Sequence, residues 1–444
     1  MDTVEYAFTN ECGQFMIHDN ERAPQFYAIY NARIDTMRRK IEENCKIMFP
    51  SIEIKLLDEL EIENECVTLG IICKHMTLNP SVLKDIFMEL EMSGQKFNKN
   101  DLIFDHLFGP VKKDKISFQA SVIHESDSLS LEDCTQRISL NASESDILNL
   151  INGVVVGVVG RKNSNGKFDV KQFIFRNSVC EITHIPIKPN RKYLAFVSGL
   201  AFGSDKFDQI AMDLMSLFML RSESNIVGIV VAGNLITNIN FNTSIRTTQL
   251  LEHSHNCDYF LSYLGTMKPI YIMPGINDIS DSVFPQRPIN SSVMPHVSKL
   301  NTNSMLSNPC QFNLESEQQV RFMGTSGENV YDTLAHTADS YDSDQYITHE
   351  NILNAMDKHL LYGHLSPGSP DSLESIPVCQ DAFIIQTLPN VYFAGNQPFF
   401  ASRFSKHVPN LKLISIPPFY NTKSIALLDL ASLDTRQVFF ESEK

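Results

Sequence analysis

A small β-barrel followed by a layered α/β domain is the architecture this sequence predicts. Three observations carry it. Between Glu65 and Phe175 the apolar residues come in short β-branched runs separated by turn residues. From Tyr193 onward, near-continuous apolar strands alternate with stretches of helical periodicity. Pro186 to Pro189 separates the two patterns and reads as a linker. With 444 residues, 43% of them hydrophobic and 20% charged, the chain is long and apolar enough for substantial cores.

Taken in order, residues 1–20 carry early acids and no apolar core, so they are expected to be loosely ordered and to hold no secretory signal. In residues 21–50, Phe26, Tyr30, Ile34, Met37, Ile41 and Cys45 recur at spacings of three and four. They predict a helix packed on its own domain, with Arg33, Arg38, Arg39 and Lys40 mostly off the stripe. Pro50 ends it.

Residues 51–185 are assigned to the barrel. Cys66 to Ile72 reads as a strand, and Pro80 precedes a short amphipathic helix marked by Val82, Leu83, Ile86 and Phe87. Arg137 to Leu140 alternates polar with apolar. Val154 to Val159 is a dense β-run broken at Gly157. Asn163-Ser164-Asn165-Gly166 is a hairpin turn leading into a strand from Lys167 to Phe175. Several short strands with one small helix suggest a Greek-key barrel such as an OB-fold.

Residues 190–444 form the α/β domain. Tyr193 to Leu200 is a buried strand running into a glycine turn. Phe207 to Leu220 is helical, with Ile210, Leu214, Leu217 and Phe218 on one face. Ile226 to Val231 is a second strand, Leu250 to Leu264 a further helix, and Ile270 to Met273 a third strand. Alternation of this kind implies a sheet covered on both faces. Asn290 to Asn308, rich in Ser and Asn, reads as a loop.

Composition narrows the chemistry. Nine cysteines are scattered without a Cys-x-x-Cys pair, which indicates neither a zinc ribbon nor a redox motif and fits reduced thiols. A net charge of −15 argues that any contact with nucleic acid is small or indirect. No apolar run approaches the roughly 20 residues of a membrane helix. The densest basic clusters, Arg38-Arg39-Lys40 and Lys112-Lys113 with Lys115, are too short to mark an evident import signal.

Ligand sites in α/β sheets form at the carboxyl ends of strands. Here four such ends are punctuated by glycine: Ser198-Gly199, Gly233-Asn234, Pro274-Gly275 and Gly395-Asn396-Gln397. This layout resembles the calcineurin-like metallophosphoesterases. Active members of that family place Asp-x-His, Gly-Asp-x-x-Asp, Gly-Asn-His-Asp/Glu and Gly-His-x-His at these ends to hold two metal ions. By that resemblance, Ser198-Gly199-Leu200 replaces the first motif. Asn234 replaces the second aspartate, with no acid three residues on. Gly275-Ile276-Asn277-Asp278 lacks the histidine of the third, and Asn396-Gln397 replaces the histidine pair. One lone Asp278 cannot supply a dimetal site, so no catalytic, cofactor-binding or metal-binding residue is expected. Gly233 and Gly275 are expected to remain as sharp backbone turns with positive φ.

Other constellations are weaker. Asp357-Lys358-His359 spells Asp-x-His, but it falls in a helical stretch and reads as a surface placement. His364, after Gly363, reads as a loop residue. His253 and His255 are two apart, which is awkward for one helix face. Gly324-Thr325-Ser326-Gly327 lacks the Lys-Ser/Thr of a phosphate loop, and no Gly-x-Ser-x-Gly elbow occurs.

Longer stretches resemble the B-subunit family of DNA polymerases alpha, delta and epsilon, and look closest to its delta members. They are Phe322 to Val330, His364 to Leu373 and Pro389 to Gln397, with Ala232-Gly233-Asn234-Leu235, Met273-Pro274-Gly275 and Thr77 to Leu83 in agreement. Departures occur at Ile276-Asn277-Asp278-Ile279, where an acid and then Asp-Pro are usual. Another falls at Phe284-Pro285-Gln286-Arg287-Pro288, in place of Leu-Pro-Gln-Gln-Pro. The resemblance implies an OB-fold joined to an inactivated phosphoesterase domain, without a cofactor. It implies a nuclear, non-catalytic scaffold that holds the cysteine-rich C-terminal domain of the polymerase's catalytic subunit and also a third subunit. The rival readings are a B-subunit of polymerase epsilon or alpha, an active phosphoesterase opposed by the missing ligands, and a single-stranded-DNA module. The last needs a basic groove with stacking aromatics, and the barrel segment shows few of either.

Overall fold

The computed structural model describes residues 6–18, 21–78, 122–179, 192–221, 225–237, 245–300, 304–315, 319–338 and 347–440. The short helix expected around Val82 to Phe87, the linker at Pro186–Pro189 and the lysines at 112–115 lie outside them.

The chain enters with strand β1 (Ala7–Asn10) and then forms helix α1 (Tyr27–Met48). A barrel follows, built from β2 (Glu65–His75), β3 (Ser128–Glu132), β4 (Arg137–Asn141), β5 (Val155–Lys162) and β6 (Phe168–Ile174). It closes in the order β2-β3-β4-β6-β5, with β4 and β6 parallel. A short helix α2 (Glu144–Asn149) links β4 to β5, its N-cap Ser143 accepting from the Asp146 amide. The expected β5–β6 hairpin forms at Asn163–Gly166, where Gly166 takes φ 78°.

Val156, Val158, Leu131 and Phe168 fill the barrel. Val155 and Val159, the alternate residues of β5, face outward and meet Met37, Ile41 and Cys45 of α1. This explains why the β5 sequence is apolar on both faces, and why Gly157 interrupts it. A Cβ at Gly157 would lie 2.9 Å from the Cys45 sulfur.

The second domain stacks two six-stranded sheets. One holds β7 (Tyr193–Val197), β8 (Ile226–Ala232) and β9 (Ile270–Met273) in parallel, flanked by β10 (Ser304–Met305), β16 (Ser424–Asp429) and β17 (Thr435–Phe439). The other runs β1-β11-β12-β13-β15-β14. Its remaining strands are β11 (Cys310–Glu315), β12 (Gln319–Thr325), β13 (Val391–Ala394), β14 (Ala401–Phe404) and β15 (Lys412–Ser415).

Aromatics fill the space between the sheets: Phe196 meets Phe393 across it at 5.0 Å, and the cross-strand neighbours Phe312 and Phe322 stack at 4.9 Å. Helices α3 (Gln209–Arg221) and α4 (Ile245–Met267) cover the outer face of the first sheet. Helices α5 (Glu328–His336) and α6 (His349–Tyr362) cover the second, and a last turn α7 (Phe419–Thr422) precedes β16.

Three expectations need correcting. The N-terminal stretch read as loosely ordered contains β1, which adds to the sheet edge beside β11. Phe8 stacks on Tyr271 at 4.1 Å, and Cys12 and Phe15 are buried in the core. Four residues are too few for alternation to be legible. On α3, the stripe Ile210–Leu214–Leu217–Phe218 is only partly the packing face: Leu214 and Phe218 pack half-buried against the core. Ala211, Met212, Met215 and Met219 are buried, while Ile210 and Leu217 are 64% and 53% exposed. That helix is apolar nearly all round, so periodicity cannot select a face. Arg33, read as mostly off the apolar stripe of α1, is completely buried.

The strand-end site

The four glycine-punctuated strand ends meet at one edge of the sandwich, tied together by hydrogen bonds between side chains and backbone. Ser198, after β7, donates its hydroxyl to the Ile416 and Pro417 carbonyls, each at 3.2 Å, and accepts from the Asn396 amide at 3.0 Å. Asn396, after β13, donates its side-chain amide to the Ala232 carbonyl at 3.1 Å and the Ser326 carbonyl at 2.9 Å. Gln397 donates to the Gly395 and Gly327 carbonyls. Asn234 accepts from the Asn277 amide at 3.3 Å. The positions where resemblance puts metal ligands thus hold neutral amides and a hydroxyl, spent on tying one loop to the next.

Asp278 is the lone acid of the four motifs, and it too is committed. One carboxylate oxygen accepts from the Leu235 and Ile236 amides at 2.7 and 3.1 Å; the other accepts from the Gly275 amide at 2.8 Å. Burial pushes its pKa up to about 7, against the pull of these N–H donors. Glu328, at the start of α5, accepts from the Ile276 amide at 3.2 Å and from Asn308 at 3.3 Å; burial raises its pKa as well. Among the described residues no three His, Cys, Asp or Glu converge on a point that could hold a metal ion. Neutral amides and two carboxylates already bound to N–H groups do not fit a dimetal centre.

The backbone keeps a strained shape here. Gly233 has φ 76° and Asn234 φ 56°, while Asn396 has φ 54°. Asparagine tolerates this left-handed region better than most residues. Gly275 does not share it: what it supplies is space, since a Cβ there would lie 2.5 Å from the Asn234 amide nitrogen. The expectation of positive φ therefore holds at Gly233 and is replaced by close approach at Gly275.

The other candidates are structural. Asp357 is buried rather than on the surface, and takes hydrogen bonds from Arg403 at 2.6 Å, from the Lys406 amide at 2.9 Å and from Ser405. His359, on the same helix, is fully buried between Thr333 at 2.7 Å and the Tyr392 hydroxyl at 3.0 Å. Burial drives its pKa down to about 3, so it stays neutral. His253 packs under Gly203, and His255 faces solvent two residues on, so the pair does not converge. Gly324 makes room for the Phe393 ring and Gly327 caps α5 at φ 112°; neither cradles a phosphate.

A polar knot that the sequence reading missed joins the two domains. The Arg33 guanidinium pairs with Asp381 at 2.6 Å and donates to the carbonyls of Gly153, Pro367 and Ser369 at 3.0, 2.8 and 2.7 Å. His364 also contacts Asp381, at 2.9 Å. Burial pushes the Asp381 carboxyl up, but Arg33 and His364 overcome this and hold it well below the ordinary range. The missed signal was spacing: Arg33 precedes Met37, Ile41 and Cys45 in steps of four, on the buried face.

Two family models match this chain. Residues 25–173 match the DNA polymerase delta subunit OB-fold domain, and residues 194–402 match the DNA polymerase alpha/epsilon B subunit. The DNA polymerase delta small subunit of Oryza sativa subsp. japonica is 29% identical over 461 residues, covering 100% of this chain and 99% of the relative. DNA polymerase delta subunit 2 of Drosophila melanogaster is 29% identical, covering 98% of each. The DNA polymerase delta small subunit of Saccharomyces cerevisiae is 25% identical over 93% of this chain and 89% of its own. A barrel with OB-fold strand order, a two-sheet domain behind it and end-to-end similarity to these relatives agree: the chain belongs to the B-subunit family of DNA polymerases, among the small subunits of polymerase delta.

Proposed function

We propose that this protein is the non-catalytic scaffold subunit of a DNA polymerase delta, bridging the catalytic subunit and a third subunit. In this reading its two-sheet domain is a calcineurin-like phosphoesterase that has lost its chemistry. The observation that carries the proposal is the strand-end site itself. Ser198, Asn234, Ile276 and Asn396 stand where resemblance puts metal ligands, and the polar side chains among them bond to neighbouring loops. Metal-assisted hydrolysis needs a metal-bound water and a second metal or cation to stabilise the leaving oxygen. Nothing in this constellation supplies either function. What remains is a rigid, loop-rich body whose value lies in its surfaces.

The partners in this proposal are the cysteine-rich C-terminal domain of the catalytic subunit and a third polymerase subunit, with DNA touched only indirectly, in the nucleus. The net charge of −15 supports the indirect role. Separately tagged chains give the test. Purified from cells of its own organism, the protein should bring down the delta catalytic subunit in near-stoichiometric amount. Incubated with manganese and a generic phosphodiester, it should show turnover at the blank. Recovery alone, or with the alpha or epsilon catalytic subunit, would reassign the partner. Turnover lost on Asp278→Ala would restore the enzyme reading.

A further inference from the structure

Helix α3 lies on the surface yet is apolar on both of its sides. Its inner side, Ala211, Met212, Met215 and Met219, packs on the first sheet. Its outer side carries Ile210, Leu217 and Leu220, all exposed. Single exposed leucines are ordinary, but a helix apolar all round belongs in a buried setting. At 13 residues it is too short to cross a membrane. Ile210, Asp213, Leu217 and Leu220 recur at spacings of three, four and three, which is the seam one helix offers to another. Asp213 is the one charge within that seam. The Gln209 side-chain amide donates to it at 2.9 Å, and no basic group pairs with it among the described residues. The neighbouring α4 adds Leu251, Tyr259 and Tyr263, each more than half exposed. Across both helices only Asp213, Arg221 and Glu252 place a charge at an exposed position among the described residues.

We propose that the outer side of α3 docks an amphipathic helix of another protein. That helix carries apolar residues at spacings of three and four, and a lysine or arginine set against Asp213. The seam argues for the form of the occupant, because side-chain ridges at this spacing interdigitate with those of a second helix. Charge argues for its sign. The seam's own charge is negative, and a chain of net charge −15 repels a second copy of itself and attracts a basic partner. A charge-poor surface bearing tyrosines also has the composition of an interface core. One charge in an apolar seam sets register, since a single alignment brings a counter-ion to it. The inference rests on the scaffold reading and deepens it, by naming one docking surface and the chemistry of the partner there.

The test uses the full-length protein, purified from its own organism together with the subunits that accompany it. A photo-cross-linking benzoylphenylalanine in place of Leu217 should join to a segment of an accompanying subunit. The sequence of that segment should show the apolar spacing and a basic residue. Asp213→Lys should lower the affinity for that subunit about tenfold, and changing the segment's basic residue to glutamate should restore it. Both changes on α3 fall at exposed positions, so the fold is not at stake. Cross-linking to a second copy of this chain, to no protein, or to a segment without the pattern would overturn the inference. So would an affinity unchanged by Asp213→Lys. The two readings fail separately. Wild-type protein recovered with the delta catalytic subunit but without a cross-link at α3 sinks this inference alone. A cross-linked helix in an assembly lacking that subunit sinks the delta assignment and leaves the docking surface standing.

Discussion

At Gly233 and Gly275 two different physical demands produce the same residue. Gly233 sits at φ 76°, and a Cβ there would lie 2.3 Å from the Ser326 hydroxyl. Gly275 has ordinary φ but no room beside Asn234. Gly→Val at either position should destabilise the protein by a few kcal/mol. Unaltered denaturation midpoints in both variants would show that the loops relax freely. Asp278, between them, makes a pH-dependent contribution. Its folded pKa of about 7 lies above the ordinary carboxylate value near 4. The folded state therefore holds a proton that the unfolded chain releases. The stability this adds is complete below about pH 4 and is lost as pH rises through about 7. Between pH 5 and 8 the wild type should lose stability relative to Asp278→Asn. Parallel melting curves for the two proteins across that range would contradict this.

Among the elements, α1 decides how the domains sit. Its apolar side covers the barrel wall through Met37, Ile41 and Cys45, and its buried Arg33 reaches the second domain through Asp381 and the Pro367 and Ser369 carbonyls. A buried ion pair need not add net stability, but removing one partner leaves the other charge uncompensated. Arg33→Met should therefore cost about 3–5 kcal/mol. Burial alone would raise the Asp381 carboxyl, and Arg33 is the main group that holds it down, so the variant should also lose the benefit of an ionised Asp381 at neutral pH. Urea unfolding that matches wild type would refute the keystone role. The exposed side of the same helix carries Arg38, Arg39 and Lys40. Each faces an acid one turn on, Arg38 with Glu42 at 4.0 Å, Arg39 with Glu43 at 3.2 Å and Lys40 with Glu43 at 3.6 Å.

For the whole molecule, that pairing bears on where the protein goes. Import signals are exposed clusters of positive charge, and here the best cluster on a described element is partly neutralised in a chain of net charge −15. We expect the protein to reach the nucleus bound to the catalytic subunit proposed as its partner. Depletion of that partner should leave it cytoplasmic under the microscope. Continued nuclear staining, abolished by Arg38→Ala with Arg39→Ala, would make α1 the signal instead.

Much of the architecture was legible before the structure. Strand runs with Gly and Asn-Gly punctuation located the barrel hairpin and the strand ends, because turn chemistry is local. That Ser198, Asn234, Ile276 and Asn396 stand where the resemblance would put metal ligands was also written in the residues themselves. What those residues do was not. That Asn396 reaches the Ala232 carbonyl 164 positions away, or that Arg33 meets Asp381 across 348, depends on contacts that local patterns do not encode. The packing face of α3 was equally hidden, since Met212, Met215 and Met219 are as apolar as Ile210 and Leu217, and only the sheet beneath selects between them. Sequence determined which groups were present at the strand ends. Tertiary structure decided which of them met, because burial and hydrogen-bond satisfaction are properties of the packed chain rather than of its segments.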